Sequence, residues 1–160
     1  LTVLLEQRLA SDWGRRIVDV AGDGNCQFRA LADQLGLTDT GSHKVVRESI
    51  CDFLIEHRNR IMDDDGLGKA VPLWRAAYFD SESKFRRHVN GMRRSTREPV
   101  WGDDCTLSAA ASVYNCVINI ISSTYSYQKR PPPAWDIPIT QEIFVGYIPE
   151  QHYVSTAPLD

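Results

Sequence analysis
The sequence predicts an α+β fold, with a small central β-sheet flanked by helices. Three observations predict it. Apolar residues recur at helical spacing through the early part of the chain. A short β-branched run at 116–121, C-V-I-N-I-I, then breaks that period and reads as a central strand. Two further strand-like stretches joined by a tight turn close the chain, so helices come early and strands late in one layered unit.

Taken in order, residues 2–11 read as a short helix carrying Val3, Leu4 and Leu9, and 16–20 as an extended stretch ended by Gly22. From Cys26, the residues Phe28, Leu31, Ala32 and Leu35 fall at i, i+3, i+4 and i+7 spacing until Gly36 stops the helix. A T-D-T-G-S loop follows, with Ser42 as the expected N-cap of the longest helix, whose face carries Val46, Ile50, Phe53, Leu54, His57 and Ile61. Residues 63–68 read as a surface loop. Shorter helices are predicted over 73–78, over 82–92 with Phe85, Val89 and Met92, and through Leu107, Ala110, Ala111 and Tyr114. After the central strand, 125–138 with its three prolines reads as a linker-like excursion. Residues 142–148 and 152–155 then form the last two strands about the turn Pro149-Glu150-Gln151.

A length of 160 residues suits one domain, 1–160, able to bury its own core. Hydrophobic residues at 42% and charged residues at 24% fit a globular protein, and no apolar run is long enough to span a bilayer. The net charge of −3 argues against a nucleic-acid module. The one basic cluster, Arg86, Arg87, Arg93, Arg94 and Arg97, lacks interleaved aromatics and reads as a solvated face. The chain opens on Leu1 without a secretory pattern, so it is read as a domain excised from a longer protein, monomeric, with no membrane partner. Its four cysteines, Cys26, Cys51, Cys105 and Cys116, show no zinc spacing, so no metal or other cofactor is expected, and a reducing, cytoplasmic setting suits them.

The available chemistry is thiol and imidazole. A nucleophilic cysteine needs a stabilised thiolate, and a helix N-terminus supplies it through unpaired N–H groups and the macrodipole. Cys26 has a Gly24-Asn25 turn before it and a helix behind it. Cys105 competes, but Asp103 and Asp104 would oppose its thiolate. Gly24 permits unusual backbone conformations, so the N–H groups of Gly24, Asn25 and Cys26 could converge as an oxyanion hole, with Asp23 locking the loop. Among the histidines, His152 follows a turn and starts a strand, and is the favoured base. His57 reads as a core residue, His43 as a cap and His88 as exposed, and residue pattern alone leaves these pairings open.

The octapeptide D-G-N-C-Q-F-R-A at 23–30 resembles the Cys-loop signature of the ovarian-tumour (OTU) family of cysteine peptidases. H-K-V-V-R at 43–47, Trp101-Gly102 and His152-Tyr153 follow in the same order, so the similarity spans about residues 15–156. The resemblance implies a papain-like fold and a deubiquitinase, a cysteine-type ubiquitinyl hydrolase that cuts isopeptide bonds at the C-terminal glycine of ubiquitin. It implies Cys26 as nucleophile, His152 as general base and acid, and Asp23 as the Cys-loop aspartate. Asn25, Cys26 and Gly24 would form the oxyanion hole. Trp101, Gly102, Asp103 and Tyr153 would line the substrate channel, with Asp103 or Asp104 facing ubiquitin's basic tail. Residues 63–68 and 125–138 are where a second ubiquitin would bind. If the source is a pathogen, the host cytoplasm is the expected setting.

One position departs from the family pattern. Many members carry Asn or Asp two residues after the histidine to orient it, and here that residue is Val154. Asp23, Asn119, Ser155 or a backbone carbonyl are the candidate substitutes, and Val154→Asn is expected to leave activity equal or raise it. The alternatives to a deubiquitinase are a silent domain that binds ubiquitin without cutting it, and the same chemistry on another ubiquitin-like modifier.

Overall fold
The sheet has five strands in the order β1-β5-β4-β2-β3. Its strands are β1 (Arg15–Val18), β2 (Cys116–Ile121), β3 (Ser126–Lys129), β4 (Gln141–Ile148) and β5 (His152–Pro158). The helices are α1 (Thr2–Trp13), α2 (Cys26–Gln34), α3 (Ser42–Glu56), α4 (Leu73–Ala76), α5 (Glu82–Arg93) and α6 (Asp104–Val113). This computed structural model describes residues 2–62, 70–94, 99–149 and 152–160. The predicted loop at 63–68, Arg97, and Glu150 and Gln151 of the last turn lie outside the described residues.

β2 and β4 run parallel, in register Ile118↔Ile143 and Ile120↔Val145, and every other pairing is antiparallel. A parallel pair is stable when both of its faces are covered, and that is the arrangement here. Ile143 and Val145 join Ile118 and Ile120 in the larger core, with Phe28 and Leu31 of α2, Ile50 and Leu54 of α3, and Leu107 of α6. Ile121, Ile148 and Val154 face a second cluster made with Leu5 and Leu9 of α1. Leu5 and Leu9 are fully buried, each stabilising the fold by about 1.5–3 kcal/mol, whereas Val3 and Leu4, expected to pack with Leu9, are exposed. Gly146 makes this contact close, since a Cβ there would lie 2.7 Å from Val154 Cγ2 and 3.3 Å from Leu5 Cδ2.

Several expectations are corrected. The long helix stops at Glu56, where His57 caps it, so Ile61 leaves the apolar face and pairs in a short bridge with Pro72. Ser42 is the first helical residue and not the N-cap. Gly41 takes that place at φ 85°, a left-handed conformation costly for any residue with a Cβ. The 125–138 excursion contains the edge strand β3 and a single 3-10 turn at Pro133–Trp135. β5 continues to Pro158 because it pairs with β1 along Arg15↔Pro158 to Val18↔Ser155.

Candidate active site
Cys26 is the first residue of α2 and 3% exposed. The loop before it is built on Asp23. Its Oδ1 accepts the Asn25 N–H at 2.9 Å, and its carbonyl accepts the Cys26 N–H at 3.1 Å. Its Oδ2 lies 2.9 Å from Arg29 Nη2, and Arg29 Nη1 lies 3.3 Å from His43 Nδ1. Burial pushes the Asp23 carboxyl up, but the bonds from Arg29 and the Asn25 N–H outweigh it and hold the group below the usual carboxylate range. Asp23 is therefore the internal brace of the turn.

Gly24 has a reason other than the expected one. It is not among the left-handed glycines; instead the loop packs so tightly that a Cβ would meet Pro99 O at 2.5 Å and Trp101 Cδ1 at 3.2 Å. Gly102 repeats the device on the other wall, where a Cβ would lie 2.6 Å from Gln27 Cδ. Gln27 is itself 1% exposed, donating to Asp103 O at 3.1 Å and accepting from Thr106 Oγ1 at 2.6 Å. The Trp101-Gly102 element thus leans on Gly24 and Gln27, on either side of Cys26.

The strand β5 closes the site from the far end of the chain. The Tyr153 N–H donates to Cys26 Sγ at 3.5 Å, which brings the residue after His152 onto the thiol. His152 Nε2 lies 2.9 Å from Asp19 Oδ1. That hydrogen bond, together with the lesser pull of the Val20 N–H, holds the Asp19 carboxyl below its ordinary range. A carboxylate only accepts, so Nε2 carries the proton and Nδ1 is the basic nitrogen of the neutral ring. The carboxylate placed to orient His152 is therefore Asp19, which sequence reasoning did not name. The three substitutes weighed are engaged elsewhere: Asp23 with Arg29, Asn119 with Glu142 and Ile143 O, and Ser155 with Asp33 and Gln34. The available signal was a carboxylate at the end of the predicted first strand, just ahead of the Cys loop.

Burial pushes the Cys26 thiol up, and the N–H groups of Tyr153, Gln27 and Cys26 itself pull it back. The other three thiols are driven further. Burial takes Cys51 to about 11 and Cys116 to about 12, and burial followed by Asp103 and Asp104 takes Cys105 to about 12. Position at a helix start is therefore not enough, as the acidic flank of Cys105 implied.

A cleft of about 320 Å³ is lined by His152 and Tyr153 with Trp101, Gly102, Tyr127 and Tyr147, and both Asp103 and Asp104 reach it. Cys26 does not line it and is linked to it through the Tyr153 N–H. Tyr147 and Tyr153 stack at 4.6 Å. Asp103 caps α6 through the Thr106 N–H at 3.0 Å and meets His88 Nε2 at 3.3 Å, while Asp104 pairs with Lys129 at 2.7 Å. A larger cavity of about 1140 Å³, between α4, α6 and Pro131–Pro133, is lined by neither His152 nor Tyr153. The chemistry assigns the site to the smaller cleft.

The same chain segments are matched in known proteins. A family model described as OTU-like cysteine protease matches residues 21–153. "OVARIAN TUMOR DOMAIN-containing deubiquitinating enzyme 10" of Arabidopsis thaliana is 36% identical over 140 residues, covering 85% of this chain and 33% of that protein. Its numbered relative, enzyme 11 of the same plant, is 34% identical over 154 residues, covering 95% of this chain and 54% of that protein. The chain therefore spans about half, or less, of the length of these curated relatives. Among solved structures, the OTU domain of OTUD1 superposes with a TM-score of 0.72 at 13% identity, covering 98% of this chain and 94% of that one. The Hazara virus OTU bound to ubiquitin superposes at 0.63 and 11% identity, covering 91% and 82%. These two likenesses establish the fold.

Proposed function
The chain belongs to the OTU-like cysteine protease family, and we propose that it is a deubiquitinase that hydrolyses isopeptide bonds at the C-terminal glycine of ubiquitin. The observation that carries this reading is the convergence at the start of α2. Cys26 receives the Tyr153 N–H, and the neighbouring His152 is held by Asp19. The curated relatives are named as deubiquitinating enzymes, and one matched structure holds ubiquitin.

In this reading His152 Nδ1 takes the Cys26 proton, and the sulfur pair attacks the glycine carbonyl carbon. The carbonyl π pair moves to oxygen as the S–C bond forms. Collapse breaks the C–N bond, and Nδ1 returns its proton to the departing lysine amine. A water, deprotonated by the same nitrogen, then hydrolyses the thioester. The aromatic cleft suits a narrow, side-chain-free Gly-Gly tail.

The rival reading, a silent ubiquitin-binding domain, rested on Val154, and the bond from Asp19, just after β1, supports an orienter at another position. A ubiquitin C-terminal electrophile tests the proposal: wild type should form one covalent adduct and Cys26→Ala none. Absence of an adduct on folded wild type would overturn it. NEDD8- and SUMO-type electrophiles run in parallel separate ubiquitin from the other modifiers.

A further inference from the structure
Arg47 is the largest fully buried side chain in the fold. A guanidinium has five N–H groups, and each one has an acceptor here. Nε and Nη2 both donate to Asn25 Oδ1, at 3.0 and 2.8 Å. Nη2 also donates to Gly24 O at 3.0 Å, and Nη1 donates to Met92 O at 2.8 Å and Val100 O at 2.7 Å. The guanidinium carbon lies 4.2 Å above the Phe28 ring. None of these acceptors is a carboxylate, so the fold retains a whole buried cation without an anion in contact, at a substantial desolvation cost.

The location of that charge gives it a use. Three of its five bonds end on the two residues before Cys26. They explain why Asn25, at the N-cap position, makes no side-chain cap bond: its oxygen is already held in the fork of Arg47. With Oδ1 fixed on the cation, the amide cannot flip, and its NH2 group must point away from Arg47. The backbone donors expected for the oxyanion are meanwhile committed, Asn25 N–H and Cys26 N–H both to Asp23. Among the described residues, neither the Asn25 NH2 nor the Gly24 N–H makes a hydrogen bond.

We propose that Arg47 is a positioning residue for the oxyanion site. It locks the Asn25 amide with its NH2 as donor, and its buried charge favours, through that amide, the negative oxygen formed when Cys26 attacks. This rests on the hydrolase reading. A purely structural staple between α3 and the loops would also use five bonds, but it would act on stability alone.

The test compares two reactions of the same thiol. Release of a fluorophore from a ubiquitin C-terminal amide passes through an oxyanion, whereas alkylation of Cys26 by iodoacetamide forms none. Arg47→Lys should lower kcat for the amide about 100-fold, the loss typical of one oxyanion donor. KM and the alkylation rate should stay within about threefold of wild type. Asn25→Ala should show the same loss, and the double variant no more than either single one, because both act through one amide. If Arg47→Lys fails to fold, Asn25→Asp serves instead. It keeps the acceptor and gives the buried cation an anion, so unfolding should occur at or above the wild-type temperature while amide hydrolysis falls about 100-fold.

An Arg47→Lys or Asn25→Asp protein within threefold of the wild-type kcat overturns the proposal. So do losses that multiply in the double variant, or alkylation that falls in step with hydrolysis in Arg47→Lys. A wild type that alkylates at Cys26 yet releases no fluorophore overturns the hydrolase reading, and this inference with it.

Discussion

Replacing Asp19 by alanine removes the only carboxylate bonded to His152 among the described residues. The size of the effect follows from the geometry. Two unit charges 2.9 Å apart attract by about 1.4 kcal/mol in bulk water, equivalent to about tenfold in rate. His152 is 17% exposed, which strengthens the pair, but Asp19 is 75% exposed and water screens it. The expected loss in kcat is therefore about 10- to 100-fold, well short of the ~10⁴-fold lost in a serine protease whose orienting aspartate is buried. Asp19→Asn retains an acceptor and loses only the charge, so about 3- to 10-fold is expected. Because the Asp19 carboxyl is held below its ordinary range, it is ionised above pH ~4 and the pair is lost only as pH falls through that lower value. The defect should consequently be constant across pH 6–8. The assay is steady-state release from a ubiquitin C-terminal amide, with alkylation of Cys26 as a check that the thiol is intact. An Asp19→Ala enzyme within twofold of wild type, or one whose loss lies wholly in KM, would refute the orienting role.

Three further outcomes are expected. Val154→Asn should destabilise the fold by about 2–4 kcal/mol, lowering Tm by roughly 5–15 °C in a thermal melt, because an amide would enter the cluster of Leu5, Leu9, Ile121 and Ile148. A stable and more active Val154→Asn would return that position to the active site. Gly102→Ala should cut kcat about 10- to 100-fold by forcing Gln27 against the start of α2, while Gly91→Ala, which meets nothing within 4 Å in α5, should leave kcat unchanged. Equal kcat in both proteins counts against the Gln27 contact. Iodoacetamide at pH 8 should modify Cys26 at least tenfold faster than Cys51, Cys105 or Cys116, whose thiols sit near 11–12. Peptide mapping that finds Cys105 first, as its greater exposure alone would suggest, would contradict this.

The parts of the molecule legible in the sequence are those specified locally. α2 follows from side-chain period and the interior strand β2 from its β-branched run, and Cys26 at a helix start follows from the same reading. Cys26 and His152 stood out as candidates because their loops carry turn chemistry. The orienter was hidden, since Asp19 acquires its partner only when β1 pairs with β5, a register no local pattern states. Val154 misled for a related reason. The family pattern places Asn or Asp two residues beyond the histidine, but here the packing of α1 on the sheet claims that side chain for the second core. β3 escaped notice because it is a polar edge strand of Ser, Tyr, Gln and Lys, with no apolar run to mark it. Arg47 looked like an ordinary helix residue. Its burial depends on carbonyls from three distant segments.

The Asp19–His152 bond joins residues 133 positions apart, across the pairing of the first strand with the last. Contacts so distant in sequence carry a large loop-closure cost and tend to be fixed late, after local helices have formed. A chain that lost its first strand through Asp19 would thus keep the thiol helix and leave the imidazole without its carboxylate. On the proposed hydrolase reading, the imidazole gains its guide only once the two ends of the domain have met.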